Sequence, residues 1–439
     1  MHGGHMSWRV AQDLHDAVPG ITVNEMSPEE HGAQPLPQSN EAQARSAGAY
    51  QVKRSPMRKI AAAAIVLAGV AYVLTLFVMG LSDRNAAERD FISYWAAGKL
   101  AVSGGNPYDP AAVRALEVSA GRDPNALPLV MRNPPIALPL VAALGFLSAK
   151  NGLIIWMAML MGSFGASIGL IWRMHGKPHS SYHLIAIGFA PALACLMAGQ
   201  FGIFLLLGIV LFLYFEQTRP GLAGAALLLC ALKPHLFVPV AIALVLWIVM
   251  GRRWRVAAGF VLATVAALGI SWVIDAHVLR QYAGFMRGGE AVSERIPALS
   301  VALRFAISPQ SAWIQFVPLG IACAWAAWYF WTRRNCWRWD EHGLLVLLIA
   351  AVCTPYGFFT DECMLLPAVL AGMYRAEERG RSLIPIAVIA GGALIELLAG
   401  VEIRTAWFMW TTPAWLAWFL YATRAPEKAA GRNPSAPAR

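Results

Sequence analysis

The residues best placed for chemistry begin at Asp90, which opens the run Arg89-Asp90-Phe91-Ile92-Ser93-Tyr94-Trp95-Ala96-Ala97-Gly98-Lys99-Leu100. Phe91, Tyr94, Trp95 and Leu100 can share one apolar helical face while Lys99 reaches water, the pattern of an amphipathic helix lying at a membrane surface. Gly104-Gly105 and Asn106-Pro107 then end the helix and turn the chain. Asp90 is expected at the start of that helix, where the helix dipole favours negative charge. A carboxylate held there could take the proton of an incoming hydroxyl. It could equally be a helix cap or a solvated loop residue.

Lys233-Pro234-His235 stands between two apolar runs with no polar padding, so the lysine must face a cavity or a partner, or else snorkel to the interface. Pro234 breaks the helix there and frees carbonyls, which a wet cavity tolerates. Gly199-Gln200 sits at a similar hairpin tip and carries an uncharged amide. Arg304 lies in the amphipathic stretch Pro297-Ala298-Leu299-Ser300-Val301-Ala302-Leu303-Arg304-Phe305, and it suits either bidentate phosphate recognition or the role of a flanking cation. Asp361 and Glu362 follow another broken hairpin, and their adjacency is not the spacing of a metal site. His2, His5, His15 and His31 fall in a polar tail and receive no role.

These residues are carried by a chain that is 58% hydrophobic and only 14% charged. Such a composition excludes an ordinary soluble core, whose charged share is nearer one quarter. The apolar runs are continuous rather than alternating, which predicts α-helices rather than a barrel. Twelve spans are expected, at 60–81, 151–172, 182–198, 201–215, 222–232, 236–250, 256–274, 312–331, 344–354, 364–374, 383–399 and 405–421. Residues 1–56 read as a disordered cytoplasmic tail without a cleavable signal peptide, 57–424 as the transmembrane domain and 425–439 as a second tail.

The net charge of +10 has a topological reading, not a nucleic-acid one. Segment 136–147 decides the parity. If it does not cross, Arg252, Arg253, Arg255, Arg333, Arg334, Arg338, Arg375, Arg379 and Arg381 all lie inside, with both termini. The loop 82–135 and the polar groups at Gln200, Lys233, Arg304, Asp361 and Glu362 then share the outer face. Cysteines form no CxxC or Cys/His pattern, and no internal repeat of the transporter kind is found.

Asp90-Phe91 with Tyr94-Trp95-Ala96-Ala97-Gly98, then Gly104-Gly105-Asn106-Pro107-Tyr108-Asp109, resembles the first-loop signature of glycosyltransferase family 87. The likeness continues in order through Asn133-Pro134-Pro135, Gly199-Gln200, Leu232-Lys233-Pro234-His235, Leu299 to Arg304, and Thr354-Pro355 to Pro367. The family belongs to the GT-C superfamily and uses polyprenyl-phosphate sugars; it includes mannosyltransferases of phosphatidylinositol mannosides. The resemblance implies a GT-C-like bundle of about twelve membrane helices in a bacterial inner membrane. Its activity would be inverting transfer of a hexose, mannose first, from polyprenyl phosphate to a lipid or glycan acceptor on the outer face.

It also implies Asp90 as base and Lys233 beside the donor phosphate. His235 and Arg304 are expected with Lys233, and Tyr94, Trp95, Gln200, Asp361 and Glu362 in the substrate cavity. No metal, cofactor or nucleic acid is expected; the partners are membrane lipids, the donor and the acceptor. A departing lipid phosphate needs positive charge but no acid, so a single carboxylate suffices for an inverting step. The rival is a transporter or flippase of a lipid-linked glycan, which would share the helices and cations but need no base.

Overall fold

The computed structural model describes residues 86–177, 181–288 and 296–424, all within one compact unit, Ile65–Arg439. The expected first span at 60–81 and both tails, 1–56 and 425–439, lie outside the described residues. Among the described residues there are sixteen α-helices and no strand. In order they are α1 (Phe91–Val102), α2 (Pro110–Ser119), α3 (Leu138–Ala142), α4 (Ala149–Met174), α5 (Ala190–Ala198), α6 (Gly202–Phe215), α7 (Pro220–Cys230) and α8 (Val238–Met250). There follow α9 (Trp254–Ile274), α10 (Val278–Arg287), α11 (Leu299–Ile307), α12 (Val317–Arg333), α13 (Leu344–Cys353), α14 (Leu366–Glu378), α15 (Ile384–Leu398) and α16 (Thr411–Thr423).

Many of these helices start where a proline falls in the first turn, as at Pro110, Pro191, Pro220, Pro239, Pro318, Pro367 and Pro385. The ring presets φ, and the missing N–H would be unpaired there in any case. Among the described residues, three runs are long and apolar enough to cross a membrane: Ala149–Met174, Trp254–Ile274 and Ala312–Cys336. The other apolar helices are shorter, among them Gly202–Phe215, Pro220–Cys230, Val238–Met250 and Ile384–Leu398.

α1 corrects one expectation. Phe91 through Gly98 are all buried, so the helix does not lie on a surface with one face outward. Its small residues explain why it can be packed on several sides. A Cβ on Gly98 would stand 2.2 Å from the Val141 carbonyl oxygen, and one on Gly145 2.4 Å from that of Gly98. The segment read as 136–147 therefore presses backbone to backbone against α1. Tyr94 packs edge-on to Phe201 at 4.4 Å, and Trp95 donates its indole N–H to the Leu147 carbonyl at 3.0 Å.

α4 separates two polar regions. Near its start, Gly152 touches Phe91 and Trp95, and Trp156 donates to the Gly199 carbonyl at 2.7 Å. At its far end, Met174 and His175 meet Arg338, Tyr374, Arg375 and Arg379 around a second cavity. A helix of 26 residues is about 39 Å long, enough to exceed a hydrocarbon core of about 30 Å. Arg338, Arg375 and Arg379 thus gather at one end of this helix, and Asp90, Gln200 and Lys233 toward the other.

The apolar piece Pro135–Phe146 joins two 3₁₀ turns to the single turn of α3, and such a piece reaches only about 18 Å at helical rise. We expect it not to cross the bilayer. A cysteine placed at Gly251 in a cysteine-free background should then react with impermeant reagents only from the cytoplasm. Labelling from outside would reverse the orientation of the bundle.

Candidate active site

Asp90 stands at the N-cap position of α1, yet its side chain makes no capping bond. That role falls to Asp109, which accepts from the Ala111 N–H at 3.0 Å and starts α2. The Asp90 carboxylate turns to two other partners. One oxygen, Oδ2, accepts from the Gln200 amide nitrogen, and the other, Oδ1, pairs with Arg404.

Gln200 is held from both sides. Its carbonyl oxygen accepts from Lys233 Nζ at 3.2 Å and from the Thr360 hydroxyl at 2.7 Å. With the oxygen engaged by two donors, the amide nitrogen must face the carboxylate. Gly199 sets this tip: its φ of +70° is left-handed, and a Cβ there would lie 2.9 Å from that of Phe91. Beyond Gln200, Lys233 pairs with Asp361 Oδ1 at 2.5 Å, and Asp361 Oδ2 accepts from the Phe358 N–H at 3.1 Å. Arg404, Asp90, Gln200, Lys233 and Asp361 form one continuous polar chain through a mostly buried region.

Lys233 is placed by the break that the sequence shows at Pro234, where a 3₁₀ turn, Pro234–Leu236, replaces a helix. Asn133 fixes this corner by donating to the Leu232 carbonyl at 2.8 Å, while its own carbonyl accepts from the Tyr108 hydroxyl at 3.0 Å. The Asn106-Pro107-Tyr108-Asp109 block is thus a scaffold for the lysine. Burial opposes the Lys233 charge, but the neighbouring Asp361 carboxylate outweighs it and holds the ammonium above its ordinary range. Burial pushes the His235 imidazole down to about 3, so it is neutral, and its ring lies 4.1 Å from that of Tyr356.

These groups line a cavity of about 590 Å³, with Asp90, Tyr94, Gln200, Lys233, His235 and Asp361 among the predicted residues on its wall. Asp90 and Arg404 also border a second space of about 440 Å³ formed with Arg89, Met197 and Glu402. Three predicted residues are elsewhere. Trp95 is engaged by Leu147. Arg304 is buried on α11, where it donates to the Pro309 carbonyl and to Gln315 at 2.9 Å each and braces a helix end. Glu362 points to the start of α16 and accepts from Thr411, Thr412 and Trp415 at 2.8–2.9 Å.

Sequence reasoning missed Arg132, Thr360 and Arg404. Arg132 directly precedes Asn133-Pro134-Pro135, and its position at that break was the available signal. Arg404 reads in sequence as an ordinary loop cation.

The model of glycosyltransferase family 87 matches residues 132–355, just over half of the chain. The chain belongs to glycosyltransferase family 87. The family-87 match takes in Asn133, Gln200, Lys233 and His235; Asp90 precedes it, and Asp361 and Arg404 follow it. No curated protein and no solved structure matches the chain.

Two outcomes follow from this geometry. Gln200→Glu keeps an acceptor for Lys233 and Thr360 but sets a second carboxylate against Asp90. Its melting temperature should fall below wild type at pH 8, and the gap should narrow toward pH 5 as the two carboxylates share a proton. A pH-independent gap would mean that Gln200 does not face Asp90.

At Glu362, burial raises the carboxyl from its ordinary 4.5 to about 7 against the opposing hydrogen bonds from Thr411, Trp415 and Thr412. Between those values the folded chain holds a proton that the unfolded chain has lost, so stability falls as pH rises through the window. Thermal denaturation of Glu362→Gln should lack that part of the slope; an unchanged slope would assign it to other groups.

Proposed function

We propose that this glycosyltransferase moves a hexose, mannose first, from a polyprenyl phosphate to a lipid or glycan acceptor, with inversion at the anomeric carbon. The reading places the reaction at the outer face of a bacterial inner membrane. The protein would be a GT-C-like bundle of about twelve spans with both termini in the cytoplasm. What supports this most is a single juxtaposition: a carboxylate, Asp90, and an ammonium, Lys233, on the wall of one cavity with the Gln200 amide between them.

Inverting displacement needs a base on the acceptor side and charge stabilisation on the leaving-group side. Asp90 takes the proton of the acceptor hydroxyl. Its Oδ2 is anchored by Gln200, and Oδ1, shared with Arg404, is the oxygen for the proton. Lys233 faces the donor phosphate, with neutral His235 as a hydrogen-bond donor beside it. Tyr94 and Asp361 complete the wall, Asp361 by holding Lys233 in place. Arg304 has no part here, because its guanidinium is committed to Pro309 and Gln315.

Asp90→Asn preserves size but removes the proton acceptor. General-base catalysis contributes about 10²–10⁴-fold, and turnover should fall by that order with donor binding retained. Asp109→Asn is the control in the same loop, since that side chain only starts α2. Turnover of a correctly inserted Asp90→Asn enzyme near the wild-type rate would remove Asp90 as the base.

A further inference from the structure

The two oxygens of Asp90 have partners of different permanence. Gln200, on Oδ2, is 7% exposed and fixed by Lys233 and Thr360. Arg404, on Oδ1, has a side chain 47% exposed, against 14% for Asp90. It sits on the non-helical connection after Gly400, before the short turn Ala406–Trp410. Arg404 borders both the 590 Å³ cavity and the 440 Å³ space, so Asp90 and Arg404 together stand at their junction. As long as the pair is closed, Oδ1 is shared with Arg404.

Resting on the transferase reading above, we infer that Arg404 is a mobile counter-ion that leaves Asp90 during the reaction and pairs with the departing lipid phosphate. The charge balance gives such a group a role. The acceptor hydroxyl gives its proton to Asp90 Oδ1, and its oxygen forms the new bond to the anomeric carbon. The bond from that carbon to the phosphate oxygen breaks, and its electron pair stays on the phosphate. Asp90 thus loses one negative charge as the phosphate, a diester becoming a monoester, gains one. Lys233 is already matched by Asp361. Arg404 is released by the neutralisation of Asp90, and it already lines the cavity in which the new charge arises.

The pairing can be read as binding of the product, polyprenyl monophosphate, to purified protein in detergent. A charge-assisted contact of this kind is worth roughly tenfold to a hundredfold in affinity. Arg404→Ala should weaken binding by that order, and Arg404→Lys should recover part of it. Asp90→Asn should bind the monophosphate more tightly than wild type, because Arg404 has lost its resting partner.

The double variant Asp90→Asn/Arg404→Ala decides the cause: it should bind no more tightly than Arg404→Ala alone. If the double variant keeps the full gain, that gain is relief of repulsion from Asp90, and the inference fails. Wild-type affinity in Arg404→Ala also overturns it, as does faster turnover, which would make Arg404 only an obstacle. If wild-type protein binds no polyprenyl monophosphate, it is the transferase reading that fails, and this inference falls with it.

Discussion

Gln200 has one carbonyl oxygen and one amide nitrogen, and charged groups on either side require both. Burying a charge is costly unless it is paired and hydrogen-bonded, and the cost is greatest when one partner is removed. Asp90 and Lys233 are brought into the interior of an apolar bundle with this neutral amide between them. A direct ion pair would have cancelled the two charges against each other. The amide keeps them separate while satisfying each, and the two ends of the chain then find their own counter-ions, Arg404 and Asp361. Such a network has value only when every member is satisfied.

Much of the surrounding fold serves that arrangement. The left-handed Gly199 aims the amide, Trp156 holds the Gly199 carbonyl, and Asn133 ties down the carbonyl next to Lys233. Small residues let α1 sink between its neighbours until Asp90 reaches Gln200. A membrane helix cannot leave its backbone unpaired in lipid, so breaks such as Lys233-Pro234 are tolerated where they border a cavity. The site stands where the helices are interrupted.

Helical class was legible in the sequence because continuous apolar runs have few other solutions. Asp90, Gln200, Lys233 and Asp361 were legible because polar groups between apolar runs need a reason to be there. The packing of α1 was not. Phe91, Tyr94, Trp95 and Leu100 suggest one apolar face, but Ala96, Ala97 and Gly98 permit close approach on another, and composition does not say which neighbours arrive. Asp361 and Glu362 are adjacent yet point to different partners, because successive side chains of a helical turn diverge. Arg404 was invisible for a different reason, since its significance lies in a contact with a residue 314 positions earlier.

Transfer and transport make opposite demands on the donor. The most direct measurement follows one lipid-linked hexose, of known anomeric configuration, on incubation with purified protein and membrane lipid. The account predicts release of one polyprenyl monophosphate for each sugar found on an acceptor, with the opposite anomeric configuration in the product. An intact donor that merely changes leaflet in vesicles would contradict it, as would a product that keeps the donor's configuration.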